Sequence, residues 1–213
     1  MKKIFLISVL LIFSLTTFSQ ISKGKNTAGI SLYLSSANTK YSTGGNTSKL
    51  TYGSIGVYYG HLVSDKLELG LGITDGYQSL KNDDPSVSAS NELTSNMISF
   101  APYLKCYTKL NEHFYFYLMV APLVGFGTGK STGTSGVSFN ENKNNTSSIG
   151  GSVDAGFAYL FSEHWSINAN IANLGVTQLT TKDKTTNVKT TTTNISLSGA
   201  FAGALYIGAS YYF

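Results

Sequence analysis

The sequence predicts an all-β protein: an eight-stranded antiparallel up-and-down transmembrane β-barrel, preceded by a cleaved signal peptide. Three observations carry that prediction. The chain opens on a short export-type leader, its apolar residues recur at every second position, and its last residues, YIGASYYF, keep alternating to the end.

The leader comes first. In MKKIFLISVLLIFSLTTFSQ two lysines precede an apolar run from Ile4 to Phe13, and small residues follow at Thr17 and Ser19. A run of about ten apolar residues suits a signal peptide, whereas a helix that crosses a bilayer needs about twenty. Cleavage is expected before Gln20. With no cysteine near that junction, a lipid anchor is not expected. The chain is therefore expected to divide into a signal peptide, 1–19, and one β-barrel domain, 20–213.

Composition narrows the function classes. Of 15 basic residues all are lysine; two leave with the leader, and the rest stand against 11 acids. Scattered lysines with no arginine do not make a nucleic-acid footprint, so no nucleic-acid partner is expected. The single Cys106 cannot form an internal disulfide or a thiolate metal cluster.

The strands follow from alternation. In FYFYLMVAPLVGF one face takes Phe114, Phe116, Leu118, Val120, Pro122, Val124 and Phe126, and the other Tyr115, Tyr117, Met119, Ala121, Leu123 and Gly125. LELGLGI sets Leu67, Leu69, Leu71 and Ile73 against Glu68, Gly70 and Gly72, and AGISLYLS sets Ile30, Leu32 and Leu34 against Gly29, Ser31 and Tyr33. IGGSVDAGFAYLF, WSINANI and ALYIGASYYF continue the pattern. A helix cannot hold a period of two.

Two kinds of connector alternate between these segments. Long polar ones, near Ser35 to Lys49, Asp75 to Asn96, Gly127 to Ser147 and Thr177 to Asn194, are expected to be loops. Short ones repeat a pattern of small polar residue, acid, base and apolar residue, in Ser64-Asp65-Lys66-Leu67, Asn111-Glu112-His113-Phe114 and Ser162-Glu163-His164-Trp165. The Ser or Asn that opens each can bond the backbone just ahead and let the chain reverse tightly. Eight strands result, with three short turns and both termini at one end and four long loops at the other.

A soluble sandwich or lipocalin would alternate too, with the apolar face inward. An eight-stranded barrel is only wide enough for its interior to be filled by side chains, and the large apolar set would overcrowd it. The apolar face is therefore expected against lipid, with Phe114, Tyr159, Phe161, Trp165, Tyr211 and Phe213 forming an aromatic girdle near the short turns. In lipid every backbone polar group needs a partner within the protein, which strands achieve only in a closed barrel.

The terminal YIGASYYF resembles the C-terminal β-signal of bacterial outer-membrane barrels, through Gly208, Tyr211 and Phe213. With SIGVYYGHLVSDKLELGLGI and APYLKCY, the whole mature chain resembles the small eight-stranded OmpA- and OmpX-like outer-membrane barrels of Bacteroidetes-type bacteria. The resemblance implies that the barrel-assembly machinery reads the last strand and that this strand closes on the first. Where the family often carries arginine, this chain has Lys105.

Candidate chemistry is sparse. The inward charges Glu68, Lys105 and Asp154 lie at similar depth counted from the turns, and are expected to form an interior ion pair, because a buried charge without a partner is costly. His61, His113 and His164 sit in or beside short turns on different hairpins, so no metal site is expected. No residue is assigned as catalytic or cofactor-binding. Pro102 and Pro122, on neighbouring strands, are expected to mark a bulge or strand end near the outer rim, and Cys106 to face lipid. Lysines in TKDKTTNVKTTTTN and GNTSK could meet lipopolysaccharide phosphates. The resulting expectation is a monomeric, non-enzymatic outer-membrane barrel whose long surface loops serve adhesion, an extracellular partner or envelope integrity, in contact with outer-membrane lipid and lipopolysaccharide. A narrow diffusion channel, a lipid-modifying enzyme and a soluble ligand carrier are the rivals.

Overall fold

The computed structural model describes residues 21–40, 47–84, 89–135, 138–199 and 204–213. The expected leader and its cleavage point, and part of GNTSK, lie outside the described residues. Nine strand segments follow one another: β1 (Asn26–Lys40), β2 (Thr47–Ser64), β3 (Leu67–Asp84), β4 (Ala89–Lys109), β5 (Phe114–Ser135), β6 (Ser138–Leu160), β7 (Trp165–Asp183), β8 (Lys189–Gly199) and β9 (Ala204–Tyr212). Each from β1 to β7 pairs antiparallel with the next.

The cylinder closes through β9. It pairs with β1 from Thr27↔Tyr212 to Ser35↔Ala204, and with β7 from Trp165↔Tyr211 to Ala169↔Ile207. Below that ladder Asn26 and Phe213 exchange two backbone hydrogen bonds of 2.7 and 3.0 Å. The segments β8 and β9 are two pieces of one stave, which makes the number of staves eight. Between the pieces the register jumps: Ala172 pairs with Gly199 but Ala169 with Ile207. Among the described residues β8 has a partner, β7, along one edge only.

The outward row is apolar. Ile30, Leu32, Leu34, Ile55, Val57, Leu69, Leu71, Ile98, Leu118, Val120 and Phe126 are all exposed, while their alternating neighbours Tyr103, Lys105, Tyr107, Tyr115, Tyr117 and Ala121 are buried. This is the inverse of a soluble β-protein, and it suits a cylinder with lipid outside and a filled lumen. Cys106 is exposed on the outward row.

Two expectations are corrected. The four long polar connectors are for the most part strand: β3 runs to Asp84 and β4 restarts at Ala89, β5 runs to Ser135 and β6 restarts at Ser138, and β7 runs to Asp183 with β8 from Lys189. Beyond the apolar band water meets both faces, so the period-two hydropathy signal vanishes while backbone pairing continues. Runs such as Thr190-Thr191-Thr192-Thr193 are also favourable for strand. The four surface elements are thus long hairpins that continue the wall outward.

The prolines do not lie near the rim. The β4–β5 ladder stops at Phe100↔Val124 and resumes in the same register at Leu104↔Val120, so Pro102 and Pro122 stand across from each other with no bulge. Neither has an N–H to donate, which explains the gap. Above them the ladder runs on to Ala89↔Ser135.

The short turns form as their sequences suggest. Asn111 Oδ1 accepts the His113 and Phe114 N–H groups at 2.9 and 2.8 Å, and Ser162 Oγ accepts those of His164 and Trp165 at 3.3 and 3.1 Å. The histidines tie each turn to the next hairpin: His113 Nδ1 contacts the Leu160 carbonyl at 3.1 Å and His164 Nδ1 the Tyr212 carbonyl at 2.8 Å. His61 Nδ1 meets Asn26 Oδ1 at 2.9 Å. Among the described residues no set of three metal-ligating side chains converges.

Candidate functional site

The lumen is where the polar chemistry collects. One cross-strand row carries its charges: Glu68 stands opposite Lys105, Lys105 opposite Met119, Met119 opposite Asp154, and Asp154 opposite Asn173. Each of the three charged side chains is at least nine-tenths buried.

Neutral donors satisfy both carboxylates. The Tyr103 and Tyr107 hydroxyls donate to Glu68 at 2.5 and 2.7 Å, and the Thr27 hydroxyl donates at 2.8 Å. Asp154 accepts from the Ser152 hydroxyl at 2.8 Å and from the amides of Asn173 and Asn170 at 2.7 and 3.2 Å. Lys105 makes no salt bridge within 4.0 Å to either carboxylate. Its ammonium instead lies 4.1 Å from the Tyr117 ring centroid and 5.0 Å from that of Tyr107. The structure therefore brings Glu68, Lys105 and Asp154 onto one level without joining them directly. A ring face attracts a cation, and more strongly once both are out of water.

The tyrosines are packed by glycines. Gly29 is the register partner of Tyr58, Gly70 of Tyr103 and Gly156 of Tyr117. A Cβ on Gly70 would sit 2.5 Å from both the Tyr103 hydroxyl oxygen and the Tyr59 carbonyl. The absent side chain is thus what lets the ring lie flat against the wall. These opposed pairs could have been found by aligning the hairpins about their short turns, but a strand-by-strand reading did not show them.

Below this level the lumen is stopped. Tyr107, Tyr115, Tyr212, Leu62, Leu160 and Ile21 form a buried cluster at the short-turn end. Ile21 belongs to a segment that crosses beneath the barrel: Gly24, in the left-handed region at φ 89°, donates to the Leu62 carbonyl at 2.8 Å, and Leu62 donates to the Lys25 carbonyl at 2.9 Å. Nothing in the alternation pattern marked Ile21, because it precedes the first strand.

Above it, an ≈110 Å³ cavity is lined by Lys105, Tyr58, Tyr103, Tyr117, Met119 and Thr74, among others. Near it Asn168 donates to Ser210 Oγ at 2.6 Å and to the Tyr58 hydroxyl at 3.2 Å.

The aromatic side chains at the short-turn end make ring contacts. Trp165 lies 4.9 Å from Tyr211, Tyr211 is stacked on Phe213 at 5.9 Å, and Phe114 meets Tyr159 at 6.3 Å. Phe161 is half-buried. Gly208 is buried opposite Ser31 on β1.

Comparison with known proteins agrees with this geometry. The family described as outer membrane protein beta-barrel domain matches residues 5–201. Among solved structures the chain is similar to OprG from Pseudomonas aeruginosa at 13% identity, covering 92% of this chain and 99% of that one, with a TM-score of 0.52. It is also similar to Ail, the attachment invasion locus protein of Yersinia pestis, at 16% identity, 90% and 99% coverage and a TM-score of 0.38. A third is a major outer membrane protein of Thermus thermophilus, at 11% identity, 88% and 99% coverage and a TM-score of 0.47. Among curated proteins no relative matches.

Proposed function

Because the chain belongs to the outer membrane protein beta-barrel domain family and so lies in the bacterial outer membrane, we propose that it works there without catalysis or conduction. Its outer hairpins provide the working surface, in adhesion to another surface or in envelope integrity. The observation that carries this reading is the stopped lumen: Tyr107, Tyr115, Tyr117, Tyr212 and Ile21 are all buried within it. A diffusion channel needs a continuous water path, and edge-to-face tyrosines with a leucine and isoleucine floor oppose one.

The polar hairpins support the positive half of the reading. Lys182, Lys184 and Lys189 cluster at the exposed β7–β8 end, and charged, threonine-rich tips suit a hydrated partner surface. In this proposal residues 1–19 are removed on export, 20–213 form the monomeric barrel, and the barrel-assembly machinery reads Gly208, Tyr211 and Phe213. The outward apolar row meets membrane lipid, and the lysines meet lipopolysaccharide phosphates.

Shortening each hairpin tests the proposal. Strains carrying barrels with the β1–β2, β3–β4, β5–β6 or β7–β8 hairpin trimmed to the apolar band should keep normal barrel levels. At least one should lose surface attachment or become sensitive to detergent. If all four match the parent in attachment and envelope integrity, the hairpins are not the working surface.

A further inference from the structure

Lys105 is 6% exposed, lines the ≈110 Å³ lumen cavity, and among the described residues has no hydrogen-bonded acceptor within 3.5 Å and no carboxylate within 4.0 Å. Three tyrosine hydroxyls of the lining are already engaged. Tyr103 donates to Glu68, Tyr117 to Asn170, and Tyr58 is bonded to Ser210 and the Ala209 carbonyl. An ammonium held out of water with three N–H groups and two ring faces is, among the described residues, the cavity's charged donor without an acceptor, and leaving a buried charge without an acceptor is costly.

The cavity is several times the ~10–15 Å³ that one water requires. Its walls are mixed: Tyr58, Tyr103, Tyr117 and the Met119 thioether on one hand, Thr74 and Lys105 on the other. A ligand that satisfies both is a small anion with a short apolar body.

Charge limits the choice further. Glu68 and Asp154 lie on the same cross-strand row as Lys105. Each carboxylate accepts three hydrogen bonds from neutral donors. With Lys105 the three groups sum to a formal charge of −1, so a bound anion must touch the ammonium directly, and a dianion is opposed more strongly than a monoanion.

We infer that the lumen cavity binds a small monocarboxylate. Its carboxylate accepts from Lys105 Nζ, and its apolar body lies against the Tyr58, Tyr103 and Tyr117 rings and Met119. The Ile21 floor lies below, so entry is from the outer side. The barrel then acts as a cup for a weak organic acid rather than as a pore.

The test uses the full mature barrel refolded in detergent, with sodium acetate, sodium benzoate, sodium chloride and sodium sulfate as probes at constant ionic strength. Acetate and benzoate should raise the thermal unfolding midpoint saturably, as expected for a ligand that binds only the folded state. Sulfate should not, and the rise should vanish in Lys105→Met. An equal rise with sulfate, an equal rise in Lys105→Met, or no rise with either carboxylate overturns the inference. Should Lys105→Met not refold, saturation transfer from tyrosine ring protons to benzoate in the unmodified protein decides the matter: transfer supports the site, and its absence overturns it.

Discussion

Replacing Gly70 by valine should be among the most damaging single changes in the lumen, although it adds only an aliphatic group to a strand. The new Cβ would stand 2.5 Å from the Tyr103 hydroxyl oxygen and from the Tyr59 carbonyl, well inside van der Waals contact. Overpacking of a filled interior costs about 1–3 kcal/mol. The Tyr103 ring must also move, which breaks its 2.5 Å hydrogen bond to Glu68, and a bond to a charged group contributes about 1.5–3 kcal/mol. The sum, about 2.5–6 kcal/mol, should appear as a lower midpoint in urea unfolding from lipid vesicles. A double-mutant cycle isolates the pair: with Tyr103→Ala already present, Gly70→Val should cost at least about 1 kcal/mol less than alone. Additive effects would refute the claim that the glycine exists to receive the ring.

Two further outcomes follow from the same structure. Phe213→Ser keeps the backbone bonds to Asn26 but removes the ring at the chain end; it should lower the amount of folded barrel in cell membranes while leaving the urea resistance of refolded protein unchanged, and equal cellular levels would remove Phe213 from the assembly signal. In the β7–β8 turn, the N–H groups of Thr186 and Thr185 hold the Asp183 carboxyl below its usual range. A depressed carboxylate stabilises the turn above its ordinary pKa and loses that effect as pH falls, so the protection of the Thr185 and Thr186 amides, taken relative to the unstructured exchange rate at each pH, should fall on acidification, and Asp183→Ala should abolish that fall.

The band of the barrel that meets lipid was legible because lipid and lumen impose opposite chemistry on alternate residues. Leu118 and Val120 face out and Tyr117 and Met119 face in, and no other periodicity accommodates them. The outer hairpins were not legible as strands: from Gln78 to Asp83, or from Thr190 to Thr193, polarity is similar on both faces, and pairing is fixed by the register of the hairpin below. The two prolines were seen but misplaced, because their spacing from the turn measures height within the strands and not where the sheet ends. The charges were placed on one level by counting from the turns, whereas their bonding depends on neighbours from other strands. Thr27, Asn170 and Asn173 supply donors to the carboxylates, and no local pattern announces such partners. Ile21 was invisible for a related reason, since its role comes from where the chain crosses under the cylinder.

The most direct test of a cup-like, non-conducting barrel is single-channel recording of the refolded mature protein in planar bilayers at low and high salt. Flat current traces are expected, with steps emerging only when the floor is opened by Ile21→Gly together with Tyr115→Ala. Stable conductance steps in the unmodified protein would contradict the account, because they would require a water path through Tyr107, Tyr115, Tyr117 and Tyr212 that the packing closes.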